Sequence, residues 1–219
     1  MIVEFVGSSG AGKSTLVRMS FAELARRGVD VHRWNLDGGR DVLKSRRNFN
    51  CNGVLEAFAR PRIARWCLQQ LRPSPGVPLR SHWRQLRWLL GAARSVRKLQ
   101  QVPGIHLVDE GPSKVAAAYA GRLGEDVSGL FAALPNVDLT VACVVDPEVT
   151  VARVRSRDRG ARTFDPERVR RWAINHRKGV GFIRERDPKV VMIDTSGGEE
   201  ALEGQVARIV RAITAEGGV

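Results

Sequence analysis

The residues best suited to chemistry form a glycine-rich loop near the N-terminus: Gly7, Ser8, Ser9, Gly10, Ala11, Gly12, Lys13, Ser14 and Thr15. The loop matches the pattern G-x-x-x-x-G-K-[ST], with a β-prone run before it and a helical pattern after it. Backbone N–H groups in such a loop surround phosphate, and the following helix presents its positive N-terminal end. Lys13 is expected to contact the β- and γ-phosphates, and the Ser14 hydroxyl to ligate Mg²⁺. The loop therefore predicts a nucleoside triphosphate site.

Two adjacent carboxylates, Asp109 and Glu110, end a later β-prone run. Ligands bind at the carboxyl ends of the strands in an α/β sheet, which places this pair beside the glycine-rich loop. Asp109 is the predicted carboxylate on the Mg²⁺ side of the site. Glu110 is a candidate to receive a proton from an attacking hydroxyl or water, and Asp37, just past the second predicted strand, is a further candidate base.

A dense run of arginines follows Asp146-Pro147 and includes Arg153, Arg155, Arg157, Arg159 and Arg162. Guanidinium groups that close over a transferring phosphoryl group stabilise the charge on its oxygens, and a closed lid excludes water. We therefore interpret residues 153–165 as a mobile lid, in preference to a solvated helix end.

Positive charge is concentrated in residues 57–108, called the basic segment below. The whole chain carries +13, and the basic segment contains no acidic residue and carries +10 of that charge. It also holds Trp66, Trp83 and Trp88, and arginines interleaved with aromatics suit single-stranded nucleic acid. A packed helix is favoured over such a partner because apolar residues recur at helical spacing: Leu79, Trp83, Leu86, Leu90, Ala93 and Val96.

Strand and helix patterns alternate along the chain. Strands are predicted at 1–6, 29–34, 105–109, 137–145 and 190–194. Helices are predicted at 14–27, 41–59 (with a break near 50–53), 113–121, 125–134, 147–158, 166–184 and 198–215. This alternation predicts one α/β domain over residues 1–219, with a parallel sheet covered by helices.

Composition narrows the class of protein further. The apolar fraction is 43% and the charged fraction 27%, as in globular proteins, and no run of residues is apolar enough for a bilayer span. The N-terminus lacks the basic and apolar regions of a signal peptide. Cys51, Cys67 and Cys143 give no disulfide framework, so a cytoplasmic location is expected. The four histidines lack metal-ligand spacing, and no zinc site is predicted.

Taken together, these motifs resemble the P-loop nucleoside and nucleotide kinases, most nearly the thymidylate-kinase-like group. Residues 3–15 resemble the opening strand and P-loop of that group, residues 108–110 its Asp-Arg-Tyr/His motif, 135–148 its fourth strand, and 153–165 its lid. The resemblance implies a three-layer fold with a five-stranded parallel sheet, ATP and Mg²⁺ as donor, and an acceptor site built by the helical segment 35–102. Glu110 stands where thymidylate kinases have an arginine that holds the acceptor phosphate. Arg60, Arg62 or Arg65 could compensate for that arginine.

The predicted function is an ATP-dependent small-molecule kinase whose acceptor is a nucleoside, a nucleoside monophosphate or an antibiotic-like alcohol. The alternative is a P-loop ATPase or nucleotide switch that binds nucleic acid or a partner protein through the basic segment. A third hypothesis is a nucleotide-binding domain that has lost catalytic activity. Related kinases often dimerise through helices, and by analogy a homodimer is allowed.

Overall fold

Five strands and seven helices cover most of the chain described by the computed structural model, which comprises residues 1–35, 61, 65, 79–123, 128–157, 164–187 and 189–218. The strands are β1 (Ile2–Val6), β2 (Val31–Asn35), β3 (Ile105–Asp109), β4 (Leu139–Val144) and β5 (Val191–Asp194). The helices are α1 (Lys13–Arg26), α2 (Leu79–Leu99), α3 (Pro112–Leu123), α4 (Ser128–Ala133), α5 (Pro147–Arg157), α6 (Pro166–Arg186) and α7 (Glu199–Gly217). The helix predicted at 41–59 lies outside the described residues.

The five strands form one sheet in the order β2-β3-β1-β4-β5, and every neighbouring pair is parallel. In this order β1 is the central strand, with Phe5 paired to Asp109 of β3 on one side and to Val141 of β4 on the other. Parallel strands need crossover connections, which are almost always right-handed and place helices on both faces of the sheet. The predicted parallel sheet of five strands is confirmed.

The side chains of β1 alternate between two apolar layers, and every residue of the strand is buried. Val3 and Phe5 pack in a cluster with residues of α1 and α7. Val6 packs on the other face, against residues of α3 and α6. Burial of a large apolar side chain stabilises the fold by about 1.5–3 kcal/mol, so this strand is anchored from both sides. The glycine-rich loop therefore follows a central strand that is buried on both faces.

The second half of α2 contributes to the core. Leu90, Ala93 and Val96, three members of the predicted apolar stripe, are buried. They pack partly against residues of α3 and α4 and partly against Ile2 and Val108 of the sheet. For this half of the helix the packed-helix prediction is confirmed, while the side chains of Leu79, Trp83 and Leu86 lie outside the described residues.

Within the described residues, no helix is both long and apolar enough to cross a membrane. In the same part of the chain, no group of three or more His, Cys, Asp or Glu side chains is arranged to hold a metal ion. Cys143 is a buried free cysteine on β4, and burial raises the pKa of its thiol to about 12.

Candidate functional site

The glycine-rich loop turns sharply between β1 and α1. Gly10 and Gly12 have φ angles of 81° and 73°, in the left-handed region that glycine adopts without strain. Gly12 is also the residue that precedes α1, so the first turn of the helix starts directly at Lys13. The N-terminal end of α1, with its unpaired N–H groups and positive partial charge, is therefore part of the predicted phosphate site.

Side chains from distant parts of the chain hold the carbonyl groups of this loop. The Thr195 hydroxyl donates to the Ala11 carbonyl over 2.9 Å. The Arg153 guanidinium donates to Gly10 O over 3.4 Å and to Thr195 O over 2.7 Å. Within the loop, Lys13 Nζ donates to Ser8 O over 2.8 Å. These bonds connect the loop to α5 and to the segment after β5.

A cavity of about 350 Å³ opens beside the start of α1, with Ser14 and Asp109 in its wall. Its other lining residues are Thr15, Val17, Arg18, Arg33 and Trp34. The Ser14 hydroxyl donates to Asp109 Oδ2 over 2.5 Å. Asp109 Oδ1 is buried and has no hydrogen-bond partner in the described structure. Burial raises the pKa of the Asp109 carboxyl, an effect that the bond from Ser14 and the charge of Lys13 oppose.

The donor set at this cavity fits the predicted Mg²⁺. A hydroxyl and a carboxylate are the hard oxygen ligands that Mg²⁺ prefers, and it usually takes only one or two carboxylates beside substrate phosphates. Asp109 Oδ1 is buried without a hydrogen-bond partner, and a bound cation would provide the partner that such a polar atom needs. Ser14 and Asp109 are therefore the residues that would hold the ion.

Glu110 follows Asp109 with a backbone conformation that is rare for its residue type. Its φ angle is 69°, the only positive φ of a non-glycine residue among the described residues. Such strain costs about 1–3 kcal/mol and is concentrated at functional sites. The bend brings Glu110 Oε1 to 3.6 Å from Lys13 Nζ and 2.5 Å from Lys114 Nζ. The carboxylate thus lies beside the ammonium group expected to bind phosphate.

The charges of this cluster alter the titration of Lys13. Burial lowers the pKa of the Lys13 ammonium, and the nearby charge of Lys114 lowers it further, while Glu110 acts in the opposite direction. Sequence reasoning missed Lys114. The sequence did contain a signal for it: only six of the 36 basic residues in the chain are lysines, so each lysine stands out as a candidate.

His176 of α6 is a second functional candidate that sequence reasoning missed. Its side chain is 2% exposed, and neither ring nitrogen has a hydrogen-bond partner in the described structure. Burial lowers its pKa to about 3, and the charges of Lys13 and Lys114 contribute to the lowering. The imidazole is therefore neutral and lies close enough to the lysines to feel their charge. Its aromatic neighbour is Trp172, in an edge-on contact with ring centroids 5.2 Å apart.

Glu4, in the middle of β1, is a fully buried carboxyl group that binds the start of α3 next to the site. Its Oε1 accepts the Ser113 N–H over 2.8 Å, and its Oε2 accepts the Ser113 hydroxyl over 2.7 Å. These bonds fasten the first turn of α3 to the central strand. Any side chain on Gly111 would overlap the Glu4 carboxyl. Burial raises the pKa of Glu4 to about 7, although the bonds from Ser113 and Lys114 act to lower it.

The structure brings the P-loop, Asp109, Glu110 and Arg153 together, and it places the remaining predicted residues elsewhere or outside the described chain. Arg153 contacts backbone carbonyls of the P-loop and of the segment after β5, as described above. Arg157 is exposed at the end of α5, and Arg65 is exposed. Five residues lie outside the described residues, namely Asp37, Arg60, Arg62, Arg159 and Arg162. Within the predicted lid, residues 158–163 also lie outside the described residues.

Two solved structures with the same fold are of a deoxyadenosine kinase, while no protein-family model matches the chain. The structure of deoxyadenosine kinase from M. mycoides with bound dATP has a TM-score of 0.54 and 10% identity, and the match covers 96% of this chain and 100% of that one. The structure with products dCMP and a flexible dCDP bound has a TM-score of 0.56 and 12% identity, with coverage of 98% and 100%. The predicted P-loop kinase fold is confirmed, and the narrower likeness to thymidylate kinases stays a prediction.

Proposed function

We propose that this chain is an ATP-dependent kinase that transfers the γ-phosphoryl group to a hydroxyl group of a small molecule, with nucleosides as the first acceptor class to test. The observation that carries the proposal is the Glu110 carboxylate 3.6 Å from the P-loop ammonium of Lys13. A carboxylate at this place can take a proton from a neutral hydroxyl next to the γ-phosphate. It would repel an acceptor that already carries a phosphate there.

In the proposed reaction, the acceptor oxygen attacks the γ-phosphorus of ATP. The bond from that phosphorus to the bridging oxygen breaks, its electron pair stays with ADP, and the hydroxyl proton passes to Glu110. Lys13 and the N-terminus of α1 bind the phosphates and stabilise the negative charge on them. Mg²⁺ held by Ser14 and Asp109 would neutralise further phosphate charge.

The likeness to nucleoside kinases supports this acceptor class only through the fold, because a shared fold does not determine a substrate. A nucleoside monophosphate or an antibiotic-like alcohol remains an acceptor to test. The ATPase alternative rests on the basic segment. Its described second half, however, supplies Leu89, Leu90, Ala93 and Val96 to the core and not to a surface. Cytoplasmic location, a homodimer and a single domain over 1–219 stay predictions.

The test is ADP release from ATP and Mg²⁺ in the presence of nucleosides, deoxynucleosides, nucleoside monophosphates and aminoglycoside-like or nucleoside antibiotics. Wild type is compared with Lys13→Ala and Glu110→Gln, and Lys178→Ala on the exposed side of α6 is the matched control. Stimulation by one acceptor class that disappears in the first two variants and persists in the control supports the proposal. Hydrolysis that no small acceptor raises, but that nucleic acid does, would establish the ATPase instead.

A further inference from the structure

Two lysines share one carboxylate oxygen at the candidate site. Lys13 and Lys114 lie 3.6 Å and 2.5 Å from the same atom, Glu110 Oε1, so their ammonium nitrogens are at most about 6 Å apart, the sum of those distances. The side chains are largely buried: Lys13 is 4% exposed, Lys114 14% and Glu110 16%. Like charges repel strongly at such a distance in a partly buried site, and an anion between them is what makes the arrangement stable.

The direction of Lys114 is fixed by its surroundings. It lies in the first turn of α3, which Glu4 fastens to the central strand through Ser113. Its ammonium also lies 5.9 Å from the centre of the Trp88 ring, within the range of a cation–π contact. Lys114 is therefore held toward the P-loop.

A phosphoryl group is an anion of the same kind as the carboxylate that now lies between the lysines. If Lys13 binds a γ-phosphate oxygen, another oxygen of that group comes within reach of Lys114, because both ammonium groups already contact one anionic oxygen. A second cation at the transferred group stabilises the charge that develops on its equatorial oxygens. The Glu110 carboxylate cannot stabilise these oxygens, since it is an anion and has no proton to donate to them.

We propose that Lys114 binds the γ-phosphoryl group beside Lys13 and stabilises it during transfer, exchanging its contact with Glu110 for one with the phosphoryl oxygens. This inference rests on the proposed kinase activity. The exchange also releases Glu110 Oε1 from an ammonium group at the moment when the carboxylate must accept the hydroxyl proton. The bonds made and broken are those of the reaction above, with the phosphorus–oxygen electron pair leaving on ADP.

The first measurement does not need turnover. Affinities for ADP and for the β,γ-imido analogue of ATP are measured by calorimetry for wild type, Lys114→Met, Lys114→Arg and the control Lys98→Met, an exposed lysine at the end of α2. Loss of one charge-assisted contact to the γ-phosphate should weaken the analogue about tenfold in Lys114→Met while ADP affinity is retained. Lys114→Arg should recover part of the loss, and Lys98→Met should match wild type.

The second measurement is steady-state kinetics with the acceptor that stimulates wild type. Lys114→Met should lower kcat about 100-fold with little change in the acceptor KM, as for loss of one donor to transition-state charge. Unchanged kcat and unchanged preference for the analogue over ADP would overturn the inference. A loss confined to the acceptor KM would also overturn it, because Lys114 would then bind the acceptor.

Two controls separate other causes of failure. Lys114→Met leaves Glu110 with one ammonium partner fewer, so the double variant Glu110→Gln/Lys114→Met is used for nucleotide affinity if the single variant does not fold. It should show the same weakened preference for the analogue, and a wild-type preference would count against the inference. If no acceptor stimulates wild type, the proposed function fails, while the two nucleotide affinities still decide whether Lys114 contacts the γ-phosphate.

Discussion

Replacement of Glu4 by glutamine should make the protein more stable at neutral and alkaline pH. The glutamine amide has the shape of the carboxyl group, its oxygen can accept the Ser113 N–H, and its amino group can donate to the Ser113 hydroxyl. The variant therefore keeps the contacts with α3. It removes only the need to place a negative charge in the centre of the sheet, where Glu4 is fully buried.

The magnitude follows from the pKa of the buried group. Glu4 has an ordinary pKa of 4.5 in the unfolded chain and about 7 in the folded one. Below about pH 4.5 both states are protonated, and the charge has no effect on stability. As pH rises, the unfolded state loses its proton first, so the wild type loses stability until the folded group also ionises. At 1.36 kcal/mol per pKa unit, the full loss is about 3 kcal/mol.

The assay is urea denaturation of wild type and Glu4→Gln at intervals from about pH 4 to pH 9. The difference in unfolding free energy between them should grow with pH by about 3 kcal/mol, mostly between pH 4.5 and 7. Other titrating groups cancel in this difference. Glu203→Gln, on the exposed side of α7, is the control and should give a nearly level difference. A level difference for Glu4→Gln as well would refute the reasoning.

Three further predictions concern the frame around the site. Gly179→Ala should destabilise the protein by about 1–3 kcal/mol, since the new Cβ would overlap the Ala117 carbonyl, whereas Gly181→Ala, with open space around it, should stabilise by up to about 1 kcal/mol. Denaturation curves of equal midpoint for the two variants would contradict this. As pH falls from 7 to 4.5, the unfolding free energy of His176→Leu should rise by about 2–3 kcal/mol relative to that of wild type, because in this range only unfolded wild type takes up a proton on His176. Parallel pH profiles of unfolding free energy for the two proteins would contradict this prediction. Arg153→Met removes the hydrogen bonds to Gly10 O and Thr195 O and should weaken ATP binding about tenfold by loosening the P-loop. A calorimetric Kd equal to that of wild type would show that these hydrogen bonds do not contribute to ATP affinity.

Local patterns were enough to predict the framework of the fold and to propose about half of the residues that meet at the candidate site. Gly12, Lys13 and Ser14 have a fixed spacing, and the strand before them and the helix after them are written in the neighbouring residues. Asp109 was placed at the site because all parallel strands end at the same edge of the sheet. These inferences need no knowledge of which helix packs where.

The remaining half depends on packing between segments far apart in sequence. Lys114 and His176 lie 62 positions apart in the sequence and belong to different helices, and nothing in either helix indicates that they meet beside Lys13. Glu4 gave the strongest missed signal. A charged residue inside an apolar strand demands a partner, although the sequence does not reveal that the partner is the first turn of α3. The positive φ angle of Glu110 is also not indicated by the neighbouring sequence, because it is rare for glutamate.

The bonds that hold the P-loop carbonyls imply that the loop is preorganised for the proposed nucleotide. Ser8, Gly10 and Ala11 each have a carbonyl bonded to a side chain, and two of those side chains come from segments more than 140 residues away. The entropy of ordering the loop is therefore lost when the protein folds, and not when the proposed nucleotide binds. Loss of Thr195 or Arg153 would move that cost to the binding step. Hydrogen exchange would reveal it as faster exchange of loop amides in the free protein, with the bound protein nearly unchanged.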